Sequence, residues 1–117
     1  MTNPDDCVFC KISSRKLSST IVYETQRVLG FKDINPQAPV HVVFIIKTHI
    51  PGVDHITSTS QGIMDELVAA ANQVAGELHV RDSGYRLVIN CKRDGGQTVD
   101  HLHLHLLGGR KMNWPPG

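Results

Sequence analysis

The stretch His101-Leu102-His103-Leu104-His105-Leu106-Leu107 decides how the rest of the chain is read. If it is extended, strict alternation puts every histidine on one face and leucines 102, 104 and 106 on the other. A helix would scatter both sets. The leucine face then belongs to a core, and three imidazoles stand on a surface or in a cleft at about 6.7 Å intervals. The outer two lie roughly 13 Å apart along a strand, whereas zinc binds nitrogen at about 2.0–2.1 Å. One ion cannot take all three, so these histidines divide the labour.

Working outward, the glycines of Lys92 to Gln97 make a turn before a last strand that runs from Thr98 to Leu107, and Tyr85 to Asn90 has strand character. Ile21-Val22-Tyr23-Glu24 and Val28-Leu29-Gly30-Phe31 form a hairpin through Thr25-Gln26-Arg27. Asn35-Pro36-Gln37-Ala38-Pro39 stops the second strand, because proline cannot donate to a ladder. Val40 to Ile46 is apolar almost throughout and reads as a central strand covered on both faces, with His41 inside it. From Ser58 the period changes: Ser58 and Gln61 have capping-box spacing, and Ile63, Leu67, Ala71, Val74 and Leu78 form one helical stripe. Cys7 to Ile12 is long enough only for a short helix. The expected fold is α+β: a five-stranded, mainly antiparallel sheet with one long and one short helix, in a single domain over 1–117 with a tail at 108–117.

Bulk properties exclude several function classes. The chain has 117 residues, too few for two ordinary domains, and its 40% hydrophobic content leaves no span of membrane length. Twelve Lys and Arg against eleven Asp and Glu leave a net charge of +1, no field for holding a nucleic-acid backbone. No signal-peptide pattern opens the sequence, so a cytoplasmic or nuclear location is expected. There thiols stay reduced, and Cys7, Cys10 and Cys91 read as ligands, reactive groups or core residues. Cys7-x-x-Cys10 has metal-ligand spacing, and two histidines would complete a closed tetrahedral site; a redox pair is the alternative. Cys91 reads as core, and His55 and His79 as solvated or capping residues.

A neutral imidazole is nucleophilic near pH 7, provided the nitrogen that does not attack carries the proton and is held by an acceptor. The middle histidine, His103, has a neighbour on each side. Gly96-Gln97-Thr98 adds backbone N–H groups that glycine lets approach closely, and a hydroxyl donor, both useful against a phosphate.

The histidine stretch resembles the motif of the histidine-triad family. Phe31 to His41, Lys47-Thr48-His49-Ile50, Asp94 to Val99, Leu107 to Arg110 and the ending Trp114-Pro115-Pro116-Gly117 are similar to its Hint branch. The resemblance implies a homodimeric purine nucleotide-binding protein that hydrolyses nucleoside phosphoramidates and aminoacyl-adenylates. By carry-over His103 is the nucleophile that forms a nucleotidyl-histidine. His105, Thr98 and the spent proton on His103 are candidates for protonating the leaving amine, and His41 hydrogen-bonds within the cluster. The same carry-over assigns Asp33 to ribose, Asn90 to the phosphate side, Ile34, Gly96 and Gln97 to the nucleotide pocket, and Trp114 to the partner subunit's site. It also completes a structural zinc site from Cys7, Cys10, His49 and His101, and implies no catalytic cofactor. Thr98 stands where relatives commonly have serine, and Asp100 where an aromatic is usual. Hydrolysis of dinucleotide polyphosphates, or a nucleotide-binding regulatory module with residual turnover, are the competing readings.

Overall fold

The computed structural model describes residues 4–117. Helix α1 (Val8–Ser13) follows a short 3-10 turn and leads into strands β1 (Ile21–Glu24), β2 (Val28–Lys32) and β3 (Val40–Ile46). Helix α2 (Ile63–Glu77), strand β4 (Tyr85–Val88), the one-turn helix α3 (Lys92–Gly95) and strand β5 (His103–Gly108) complete the order. The strands form one sheet in the order β1-β2-β3-β5-β4, and every neighbouring pair is antiparallel. The fold is therefore the expected α+β sheet, with α2 as its one long helix.

Period-two alternation sorts the two faces. Val28, Val42, Phe44, Ile46, Leu104 and Leu106 pack against Leu67, Ala70, Ala71, Val74 and Ala75 of α2. The alanines let helix and sheet approach closely, and Gly30 serves close packing within the sheet. A Cβ there would lie 2.7 Å from the Phe44 ring. On the opposite face Leu29, Phe31, Val43 and Ile45 join Cys7, Phe9 and Ile12 of the N-terminal segment in a second, smaller core.

That second core corrects the picture of an open histidine face. Phe9 lies edge-on to His101 and His103, with ring centroids 6.0 and 5.0 Å apart, and both imidazoles are buried. The boundaries also shift. Strand β5 begins at His103 instead of Thr98, because His101 sits on a bend whose N–H donates to the Val99 carbonyl while the N–H of Leu102 reaches Ile50. The long helix begins at Ile63, and its N-cap Gly62 is left-handed with no side-chain cap. No capping box forms between Ser58 and Gln61; Ser60 accepts instead from the N–H of Thr57 in a local turn that precedes the helix. The turn after β4 contains α3, which adds a third helix to the two expected, and β4 stops at Val88, two residues short of Asn90.

Candidate active site and metal centre

In the β3–β5 ladder Ile45 faces His103, Val43 faces His105 and His41 faces Leu107, so His41, His103 and His105 share one face of the sheet. Each ring has a partner that settles its tautomer. The His101 carbonyl lies 2.6 Å from Nδ1 of His103 and can only accept. His103 therefore carries its proton on Nδ1 and leaves the Nε2 lone pair free. The backbone N–H of Gln37 donates to Nδ1 of His41 at 3.1 Å, so His41 carries its proton on Nε2. That Nε2 lies 2.9 Å from Nδ1 of His105 and 3.4 Å from Oδ2 of Asp33. His105 accepts at Nδ1, and its own proton sits on Nε2.

Burial keeps these rings neutral. It holds His103 below the ordinary histidine value against the opposing pull of the His101 carbonyl, and it lowers His41 despite Asp33. His105 is pushed down to about 4, first by desolvation and then by His103 and His41. The arrangement thus offers a neutral, proton-free nitrogen on His103 beside an N–H donor on His105, 5.0 Å away between ring centroids. The two rings are chemically distinct although both are histidine.

Asp33, His41 and His105 bring three potential metal-ligand atoms within 4.8 Å of one another. The tautomers argue against an ion there. Nε2 of His41 carries the proton that Gln37 forces upon it, and a protonated nitrogen has no lone pair to give.

The loop from Asn90 to Thr98 differs from its sequence reading in detail. The N–H groups of Gly96 and Gln97 donate to the carbonyls of Arg93 and Lys92. The Gln97 side chain accepts from the N–H of Lys92 and donates to Pro51 and Val99. Both residues are therefore spent in building the loop, which corrects the expectation that they present donors to a phosphate. Thr98 is exposed, and Asn90 lies half-buried two residues beyond the Val88–His105 pair. Asp33 accepts from the N–H of Asn35 in a turn at the end of β2. Ile34 and Trp114 are 98% and 83% exposed, so the aromatic tail is left largely uncovered by its own subunit.

A second cluster lies at the other end of the histidine stretch. Cys7 Sγ is 3.4 Å and Cys10 Sγ 3.5 Å from Nδ1 of His101, and Cys10 Sγ is 3.3 Å from Nδ1 of His49. His101 donates from Nε2 to the Ile46 carbonyl at 2.7 Å, so its Nδ1 carries a lone pair. One lone pair cannot satisfy two thiol protons, whereas one cation accounts for both contacts. Bonds of about 2.3 Å to sulfur and 2.05 Å to nitrogen at tetrahedral angles give an S···N edge of about 3.5 Å, in line with these distances. The four residues fit zinc. Without a cation, burial and the adjacent Cys7 thiol push Cys10 up to about 11. Desolvation likewise holds His101 down to about 4.

Phe9 and Gln37 were not singled out from sequence. Phe9 is one more apolar residue of a short helix until it docks on His103, and Gln37 acts through its backbone alone, which no side-chain pattern encodes.

Residues 14–112 match the HIT domain model, and the chain belongs to that family. It is 47% identical to an uncharacterised HIT-like protein of Synechocystis, over 97% of this chain and 98% of the relative. Against the 14 kDa zinc-binding protein of Zea mays the identity is 46%, over 94% and 87%. Among solved structures, a HIT family hydrolase from Clostridium thermocellum superposes with a TM-score of 0.91 at 52% identity, covering 93% of this chain and 95% of that one.

Proposed function

We propose that this protein is a purine nucleoside phosphoramidase, acting on adenylyl-amine or aminoacyl-adenylate substrates through a nucleotidyl-histidine on His103. The observation that carries the reading is the pair of tautomers: a free Nε2 lone pair on His103 next to an Nε2–H on His105. The lone pair of His103 attacks the α-phosphorus, a P–N bond to the ring forms, and the bond to the leaving group breaks: P–N in an adenylyl-amine, whose nitrogen takes the Nε2 proton of His105, and P–O in an aminoacyl-adenylate, whose carboxylate leaves without a proton. Water then attacks the same phosphorus and releases the ring; its hydroxyl ends on phosphorus, and its proton restores the Nε2–H of His105, or passes to solvent when the leaving group is a carboxylate. A P–N bond leaves well only when its nitrogen meets a donor, which the N–H of His105 supplies and the Thr98 hydroxyl can assist. The Nδ1 proton of His103 stays committed to the His101 carbonyl, which removes the spent proton from the candidates. Membership of the HIT family and likeness to a HIT family hydrolase support hydrolysis as the reaction class.

Asp33 would hold the ribose, Asn90 the phosphate side and Ile34 the base. The exposed Trp114 would complete the site of a second subunit in a homodimer, since a large aromatic left uncovered gains from burial elsewhere. Cys7, Cys10, His49 and His101 would hold a zinc ion, a reading that the name of the maize relative supports. With four protein ligands, zinc offers no open position to water and serves to tie the N-terminal segment to the catalytic strand.

Turnover of adenosine phosphoramidate and of a diadenosine polyphosphate, measured side by side, tests the substrate class. Faster cleavage of the phosphoramidate is expected; faster cleavage of the polyphosphate would overturn it. A light-scattering mass that stays near 12.9 kDa at every concentration would remove the dimer and the role of Trp114 with it.

A further inference from the structure

We propose that Arg110 is a positioning residue of this site: through the backbone of Gln37 it holds His41, and hence His105, in the tautomers that present an N–H to the leaving group. The proposal rests on the phosphoramidase reading for its kinetic consequence, but not for its structural content. Arg110 closely follows β5, the strand that carries His103 and His105. Its Nε and Nη2 both donate to the carbonyl oxygen of Gln37, at 3.2 and 3.0 Å, while Nη1 reaches the Lys111 carbonyl and steadies the guanidinium. Across the same residue, the N–H of Gln37 donates to Nδ1 of His41. One end of Gln37 is gripped, and the other sets a tautomer.

With Nδ1 of His41 occupied as an acceptor, the ring proton must sit on Nε2, which faces Nδ1 of His105 at 2.9 Å. His105 accepts there and keeps its own proton on Nε2. If the Gln37 amide drifted, His41 could place its proton on Nδ1, and His105 would then turn a lone pair toward the leaving nitrogen where a donor is wanted.

The base of the loop is closed by the Asp33 N–H on the His41 carbonyl and the Asn35 N–H on Oδ1 of Asp33, and Ala38 is buried, while the Gln37 carbonyl is held by Arg110. Gln37 is exposed, and its side chain reaches the Asn35 carbonyl within the same loop. Prolines flank it at 36 and 39, neither of which can donate a backbone hydrogen bond. The tail also touches the loop at Gly109. Its φ is +87°, and a Cβ at that position would lie 2.9 Å from the Pro39 ring, which leaves room for glycine alone. Contact at Gly109 sets the distance between tail and loop, and Arg110 sets the orientation of the Gln37 peptide.

Ring 15N NMR of the histidines reads tautomers directly and needs no substrate. In the wild-type protein His41 and His105 should each show a protonated Nε2 and an unprotonated Nδ1. Arg110→Ala should move both rings toward a mixture of tautomers and lower kcat by about tenfold, a fraction of the factor that general acid–base groups supply, with KM little changed. Arg110→Lys, which can return one of the two donors, should recover part of both signals. Lys111→Ala, a neighbouring loss of charge in the same tail, should change neither. A wild-type His41 protonated on Nδ1 overturns the proposal whatever the variants do. So does an Arg110→Ala protein with wild-type ring shifts, or a Lys111→Ala protein that reproduces the Arg110→Ala change. If the wild-type protein cleaves no phosphoramidate yet shows these tautomers and their dependence on Arg110, the substrate reading fails and the positioning role stands.

Discussion

His101 and His103 are two residues apart in one segment, yet they present opposite nitrogens. His101 donates from Nε2 to the Ile46 carbonyl and turns the Nδ1 lone pair to Cys7 and Cys10. His103 donates from Nδ1 to the His101 carbonyl and leaves the Nε2 lone pair for an electrophile. The same side chain thus becomes a candidate metal ligand at one position and a candidate nucleophile two residues on, and the difference is which backbone carbonyl each ring meets. A histidine's chemistry is decided by the partner of the nitrogen that does not react.

The largest expected effect breaks the nucleophile end alone. His103→Ala should lower phosphoramidate turnover by several orders of magnitude, at about 1.4 kcal/mol per tenfold, while nucleotide affinity measured by calorimetry changes little. Rapid quench of the wild-type protein should trap a nucleotidyl adduct on His103, labile to acid and stable to base. A label that maps to His41 or His105 would reverse the roles along the strand.

Next comes the ligand end. Zinc should co-purify at about one ion per subunit, and Cys10→Ala should lose it, as read by elemental analysis. Thermal stability should fall with it, since the ion would fasten the N-terminal segment to the histidine stretch. Turnover should drop less than in His103→Ala, because the carbonyl of His101 persists when its ring loses a metal. Equal losses in the two variants would show that the ends are not separable.

Phe9 links the two ends, packing on both rings from between the two cysteines. Phe9→Ala should cost about 3 kcal/mol, the lower end of the range for a buried aromatic, measured by urea unfolding of the zinc-loaded protein. Phe9→Leu should recover most of that stability. If it also recovers full turnover, Phe9 contributes volume and not ring orientation.

The smallest effect is in pH. An unfolded histidine titrates near its ordinary value of about 6.5, whereas folded His105 titrates near about 4. As pH falls through that window the unfolded chain binds a proton that the folded chain refuses, so stability is lost on acidification and is flat above it. His105→Gln, which keeps a donor but cannot titrate, should flatten part of the slope of urea midpoint against pH between 7 and 5. An unchanged slope would mean that His105 is solvated.

Much of this was legible along the chain because it depends on periods. Alternation at 101–107 assigns Leu102, Leu104 and Leu106 to the face opposite the histidines, the spacing of Leu67, Ala71 and Val74 assigns the buried side of α2, and the extended spacing read for the outer histidines separates them, although His101 itself lies on the bend before β5. What was missed depends on contacts between distant segments or on competition within a loop. The capping box at Ser58 lost to a turn closed by Thr57 and Ser60. The N–H groups of Gly96 and Gln97 went to α3, a helix one turn long that no periodicity reveals. The histidine face was covered because α1 docks on the sheet through Phe9 and Ile12, and residue 9 lies more than ninety positions from the rings it covers.

The sequence by itself determined which side chains share a face, which residue types could bind a metal or attack phosphorus, and that two sites were needed. Those follow from strand geometry and bond lengths, which every chain obeys. Only the tertiary structure decided which nitrogen of each ring is free. The partners that settle it are carbonyls and an amide of Ile46, His101 and Gln37, identical in every residue type and brought to the rings only by the pairing of β3 with β5 and the closing of the loop before β3.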